Sequence, residues 1–142
     1  MIQNMDHFNM TVSDLDRSVE FYQRAFGFEI DRRFETESPA IAQLSRFDRL
    51  HMKMAILTLG TTRIGLLQYL NPRSTTGVRL KMNDVGGNIL VFNTDDVRAE
   101  YHRLFEMGVE FKTEPLTDPQ AGIVAAQGLD PDGVTFEIVE RV

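Results

Sequence analysis

Four stretches carry side chains whose types and spacing could do chemistry. His7, Asn9 and Thr11 alternate with Phe8, Met10 and Val12, so an extended segment here shows one polar and one apolar face. Thr135, Glu137 and Val139 alternate in the same way with Val134, Phe136 and Ile138. In TRIGLLQYL, Ile64 and Leu66 make a packed row, which turns Arg63, Gly65, Leu67 and Tyr69 to the other side. Ile89, Val91 and Asn93 likewise oppose Leu90 and Phe92. An imidazole and a carboxylate brought together can move protons, the carboxylate orienting the ring and stabilising its protonated form. A hydrogen-bonded His7–Glu137 pair with a purely structural role is the competing reading. Arg63 could clamp a substrate carboxylate, or equally sit as an exposed rim residue.

These rows must be positioned by a repeated unit. GNILVFNTDDVRAEYHRLFEMGVEF, residues 87–111, repeats the pattern of HFNMTVSDLDRSVEFYQRAFGFE, residues 7–29. Asp14-Leu15 falls on Asp96-Val97, and Leu15, Val19 and Tyr22 fall on Val97, Tyr101 and Leu104, each set at i, i+4, i+7. That spacing predicts two helices with one apolar stripe each. Ser13 and Asp95 are placed as N-caps, and Gly27 and Gly108 as the stops. Strands are expected before each helix and three times after it: GFEIDRRF, MKMAILTLG and TRIGLLQYL in the first copy, GVEFKTE, GIVAAQG and GVTFEIVE in the second. Alternation leaves open whether His51 or Met52 points inward. Gln68, three residues past Gly65, falls on the opposite strand face. Residues 36–50, TESPAIAQLSRFDRL, read as a loop covering the inward face.

Composition narrows the partners. The chain has 142 residues and a net charge of -6 without a Lys/Arg cluster, so a nucleic-acid partner is not expected. There is no cysteine, which removes disulfides, thiolate nucleophiles and Cys-ligated zinc. The opening MIQNMDHFN lacks a charged head with an apolar run, and no stretch has the length of a membrane span. The expectation is a cytoplasmic protein without a membrane partner. No G-x-S-x-G elbow is present, and DPDG reads as a tight turn.

HFNMTVSDLDRSVEFYQRAFGFE and the terminal DPDGVTFEIVE resemble the vicinal-oxygen-chelate superfamily, the glyoxalase, bleomycin-resistance and extradiol-dioxygenase group, and the likeness runs from Met5 to Glu140. The resemblance implies an α+β fold, with two tandem βαβββ modules forming one pseudo-twofold domain around a central cleft, commonly as a homodimer. Residues 1–142 are then a single domain, with module 1 at about 5–70, a linker at 71–87 and module 2 at about 88–142. Metal-binding members take one ligand from each of four strands, and those positions here are His7, Gly65, Ile89 and Glu137. Imidazole and carboxylate donors suit Zn, Ni, Mn or Fe, whereas Gly65 and Ile89 donate nothing. Two protein ligands hold a divalent ion weakly, so no tightly bound cofactor is expected, a loosely held divalent metal on His7 and Glu137 being the alternative.

The resemblance then implies a glyoxalase-like enzyme acting on a small organic molecule by lyase- or isomerase-type proton transfer. Glu137 would be the base and His7, approaching it across the cleft, its partner or a residual metal ligand. Asn9, Thr11, Arg63, Tyr69, Val91 and Asn93 would bind the substrate, and dioxygenase chemistry ranks below proton transfer. The alternative is a metal-free drug- or metabolite-binding protein of the bleomycin-resistance type, for which Leu67, Tyr69, Ile89 and Val91 would supply an apolar lining.

Overall fold

The structure, a computed structural model, describes residues 1–75, 77 and 80–142. Of the expected linker, Thr76, Val78 and Arg79 lie outside the described residues. The chain divides into two compact units, Met1–Gly77 and Val78–Val142.

In the first unit, β1 (Phe8–Thr11) leads to α1 (Leu15–Phe26), then β2 (Glu29–Thr36), a short α2 (Pro39–Leu44), β3 (His51–Leu59) and β4 (Thr62–Asn71). The strands form one sheet in the order β1-β4-β3-β2. The second unit runs β5 (Ile89–Asn93), α3 (Val97–Glu106), β6 (Leu116–Asp118), β7 (Ile123–Leu129) and β8 (Thr135–Arg141). Its sheet order, β5-β8-β7-β6, matches the first strand for strand. In each unit the first and last strands pair in parallel and the others antiparallel. The two βαβββ modules expected from the repeat are therefore present, α2 being an addition to the first.

Each helix turns the predicted stripe to its sheet, though Tyr101 of the second stripe is only partly buried. On α1, Leu15, Val19 and Tyr22 are buried, and on α3 Val97 and Leu104 are fully enclosed. Burial of each such side chain contributes about 1.5–3 kcal/mol, which a 12-residue helix needs because it is marginal alone. Beneath α1 lie Leu57, Ile64 and Leu66, and beneath α3 lie Phe136 and Ile138.

The capping residues differ from the sequence expectation by one position. Asp14 caps α1, its Oδ1 accepting from the Arg17 N–H at 3.1 Å, and Asp96 caps α3, accepting from the Ala99 N–H at 2.9 Å. Ser13 instead accepts from the Arg17 guanidinium at 2.9 Å. The N–H of each helix's first residue is met from the sheet: Leu15 donates to Gln68 Oε1 at 2.9 Å and Val97 to Glu140 Oε2 at 3.1 Å. Those two bonds identify the face of each sheet that its helix covers, and so identify the other, open face as well.

GVEFKTE does not form the expected strand. Its backbone touches β7 only at Leu129 N–H to Glu110 O and Lys112 N–H to Gln127 O, both 2.9 Å, with a lone bridge at Phe111 and Gly128. Pro115 has no N–H to give a ladder, and regular pairing begins only at Leu116.

Candidate functional site

Register assigns the open faces residue by residue, because directly paired residues share a face. In the first unit Asn9 pairs with Gly65, Gly65 with Ile56, Leu67 with Met54, and Tyr69 with Met52. Gly65, Leu67 and Tyr69 therefore stand on the open face, as the alternation of TRIGLLQYL predicts. The ambiguity in HMKMAIL is resolved in favour of Met52. His51, across a register shift, turns instead to Glu35 at 2.5 Å and Glu37 at 3.8 Å.

Much of this open face is apolar and covered. Met52, Met54, Ile56 and Leu67 pack with Ala42 of α2 and Leu50, and Phe34, Ile41 and Tyr69 border the cluster. Phe47 sets its ring edge against Tyr69, with centroids 6.0 Å apart at 69°. The segment 36–50 thus covers this face, and it does so partly as a helix. Ser38 caps that helix and Pro39 opens it.

The polar end of the same face is a charged chain. Arg63 donates to Asp6 Oδ1 at 3.0 Å and to Asp31 Oδ2 at 2.9 Å, and the other Asp6 oxygen meets His7 Nδ1. The His7 hydrogen bond holds the Asp6 carboxyl below the usual carboxylate range; desolvation opposes this, and the charges of Arg63 and His7 add to it. Because Nδ1 is the nitrogen that meets Asp6, Nε2 is the ring nitrogen left to another partner. Arg63 is thereby held between two carboxylates. Asn9 and Thr11 are exposed.

In the second unit, Ile89 pairs with Thr135, Val91 with Glu137, and Asn93 with Val139. Across β8 and β7, Glu137 pairs with Gln127 and Thr135 with Leu129. Gln127 Nε2 donates to Glu137 Oε2 at 2.8 Å. Lys112 joins from the irregular segment, with its Nζ 3.0 Å from Thr135 Oγ1, 3.0 Å from Met82 Sδ and 3.5 Å from Gln127 Oε1. Glu137 is half-buried, while Val91 and Asn93 are exposed beside it.

Sequence reasoning missed Asp6, Gln127 and Lys112. Asp6 adjoins His7, and parity within GIVAAQG would have placed Gln127 opposite Glu137. Nothing local marks Lys112, whose position depends on a segment that pairs irregularly.

The donor set does not fit a four-ligand metal centre. Of the four positions, Gly65 and Ile89 have no donor, and the Asn9 side chain occupies the space above Gly65. A Cβ there would run into the Asn9 carboxamide oxygen and lie 2.9 Å from Met54 Cε. No group of three or more His, Asp or Glu side chains suited to a metal occurs among the described residues.

The profile of the Glyoxalase/Bleomycin resistance protein/Dioxygenase superfamily matches residues 4–138, and the chain belongs to that superfamily. It is 25% identical to the uncharacterized protein YwkD of Bacillus subtilis, over 99% of both chains. The fold is shared with a glyoxalase family protein of Bacillus cereus (TM-score 0.89, 19% identity, 100% of this chain and 96% of that one). It is also shared with the fosfomycin resistance protein FosX of Listeria monocytogenes (TM-score 0.69, 17% identity, 100% and 96%). No helix among the described residues is long and apolar enough to cross a membrane.

Proposed function

We propose that the protein acts on a small organic molecule by proton transfer of the lyase or isomerase type, with Glu137 as the base and His7 as a second acid–base group. The observation that carries this reading is the setting of Glu137. One carboxylate oxygen accepts from a neutral amide, Gln127, and the other has no protein partner among the described residues. An oriented carboxylate with one oxygen available can take a proton from carbon next to a carbonyl. The C–H electron pair then moves into the C–C bond, and the carbonyl oxygen becomes an enolate oxygen. Asp6 fixes His7 so that Nε2 is the working nitrogen.

Exchange of such protons for deuterium in D2O, followed by NMR across a panel of small carbonyl compounds, tests the reading. Wild type should exchange at least one compound, and Glu137→Gln should lose about two to four orders of magnitude in rate. Exchange unaltered by Glu137→Gln removes Glu137 from the chemistry. A metal-dependent version requires near-stoichiometric uptake after equilibration with Ni, Zn, Mn or Fe, and uptake well below one ion per chain under every condition eliminates it.

A second reading is that the protein holds a planar or aromatic ligand without chemistry, for which the partly buried rings of Phe34 and Tyr69 at the border of the apolar cluster would supply contacts. Fosfomycin belongs in the compound panel because FosX is a fosfomycin resistance protein. A tight ligand recovered chemically unchanged would support this second reading.

A further inference from the structure

We propose that Lys112 is an anion-binding residue on the open face of the second unit, and that the molecule acted on by Glu137 is a small carboxylate, of the 2-oxo acid kind. The inference rests on the proton-transfer reading of Glu137 and adds the substrate class.

The argument begins with what holds the ammonium. Its partners are a hydroxyl, a thioether and an amide oxygen at the long limit of a hydrogen bond, all of them neutral. No carboxylate forms an ion pair with Lys112 among the described residues, whereas Arg63 is held by two. A lysine tail ordered this way loses rotamer entropy without gaining a counter-charge. Its charge therefore remains available to a ligand.

Gln127 sets the geometry. Its amide nitrogen donates to Glu137 and its amide oxygen turns to Lys112, so one planar group fixes both charged ends of the row. Lys112 and Glu137 are thus kept on the same face, one amide apart, instead of neutralising each other. A ligand whose carboxylate meets the ammonium would place its neighbouring carbons toward Glu137. In a 2-oxo acid the acidic C–H lies two carbons from the carboxylate, across the carbonyl, which matches that order of groups. The carboxylate would also gain charge-assisted hydrogen bonds that a neutral ketone cannot make.

The test uses pyruvate and 2-oxobutyrate, with neutral 2,3-butanedione as control, on the full chain by calorimetric titration. Wild type should bind both acids saturably and the dione at least about tenfold more weakly. Lys112→Gln should weaken acid binding about ten- to hundredfold, and Lys112→Arg should retain most of it. Added chloride should compete with the acids on wild type, a readout that does not depend on any variant folding. Absence of saturable acid binding, equal affinity for the dione, or unchanged affinity in Lys112→Gln overturns the proposal. Deuterium exchange at the pyruvate methyl separates the two ideas. Lys112-dependent binding without exchange leaves Lys112 standing and removes Glu137 as base, and exchange of either acid indifferent to Lys112 does the reverse.

Discussion

Gly128 of β7 pairs directly with Phe136 of β8, and the Phe136 ring lies across the glycine. A methyl group at 128 would overlap the ring's Cζ and stand 2.8 Å from Cε1 and 3.1 Å from Cε2. Ordinary carbon contacts lie at about 3.5–4.0 Å, so the ring must withdraw by roughly an ångström. It has little room to do so, being 1% exposed and met by the Phe111 ring at 5.8 Å and 79°. Overpacking of this kind costs about 1–3 kcal/mol, and the smaller unfolded-state entropy of alanine returns about 0.4–1 kcal/mol. Gly128→Ala should therefore destabilise the chain by about 1–2 kcal/mol. Gly65→Ala is the control, because its methyl meets the ends of two flexible side chains, one of them the exposed Asn9. That variant should fall within about 1 kcal/mol of wild type. Urea unfolding at constant m-value measures both. Phe136→Leu in the Gly128→Ala background should remove most of the added cost of the alanine. Equal stability of Gly128→Ala and wild type, or equal losses at the two glycines, would refute the packing argument. Because Glu137 follows Phe136 directly, a displaced ring would also disturb the proposed base.

Four further variants test other contacts. Folding favours the charged form of Asp6, since its carboxyl lies below its ordinary 3.8, so that contribution is complete above pH 3.8 and is lost as pH falls through the lower folded value. The urea-midpoint advantage of wild type over Asp6→Asn should accordingly shrink only in that acid range, and a gap that stays constant down to pH 2 would contradict it. Gln68→Leu strands the Leu15 N–H and should cost about 1–2 kcal/mol, as should removal of the Asp14 cap by alanine at about 1 kcal/mol, both read by urea unfolding. Ala42→Glu puts a carboxylate without a partner into the cluster beneath α2, so trypsin should cut faster at Arg46 and Arg49, and an unchanged cleavage rate would show that α2 is not anchored there.

The repeat and the strand faces were legible because they are periodic. Leu15, Val19 and Tyr22 announce a buried helix stripe, and the alternation of Ile64 and Leu66 with Gly65 and Leu67 announces two faces. Caps were legible only to within a residue: Ser13 and Asp14 are both competent oxygen donors, and only the backbone geometry decides that Asp14 meets the Arg17 N–H. The short helix α2 had its start signal in Ser38-Pro39 but too few residues to show a period. Gln127 could have been placed by parity. Lys112 could not, because its approach to Thr135 and Gln127 depends on the path of a segment that Pro115 keeps from pairing regularly.

The two units differ most where structure demands least. Gln68 and Glu140 occupy corresponding places on the last strand of each unit, and each accepts from the first N–H of its helix. A partly buried N–H must find an acceptor, so an oxygen-bearing side chain serves the fold at both places whatever the protein does. The open-face positions carry no such demand. There the units differ: His7, immediately before β1, in one and Ile89 of β5 in the other, Gly65 of β4 in one and Glu137 of β8 in the other. Each unit keeps a single donor, and each donor is built into its surroundings: His7 by Asp6 and Arg63, Glu137 by Gln127 beside Lys112. Asn9 fills the space above Gly65 that a fourth ligand would need. Such partners would orient a donor equally well for a proton or for a metal, so the distinction rests on the two positions without a donor. Gly65 and Ile89 contribute no donor and two ligands hold a divalent ion weakly, and that is the physical reason for proposing proton transfer ahead of metal chelation.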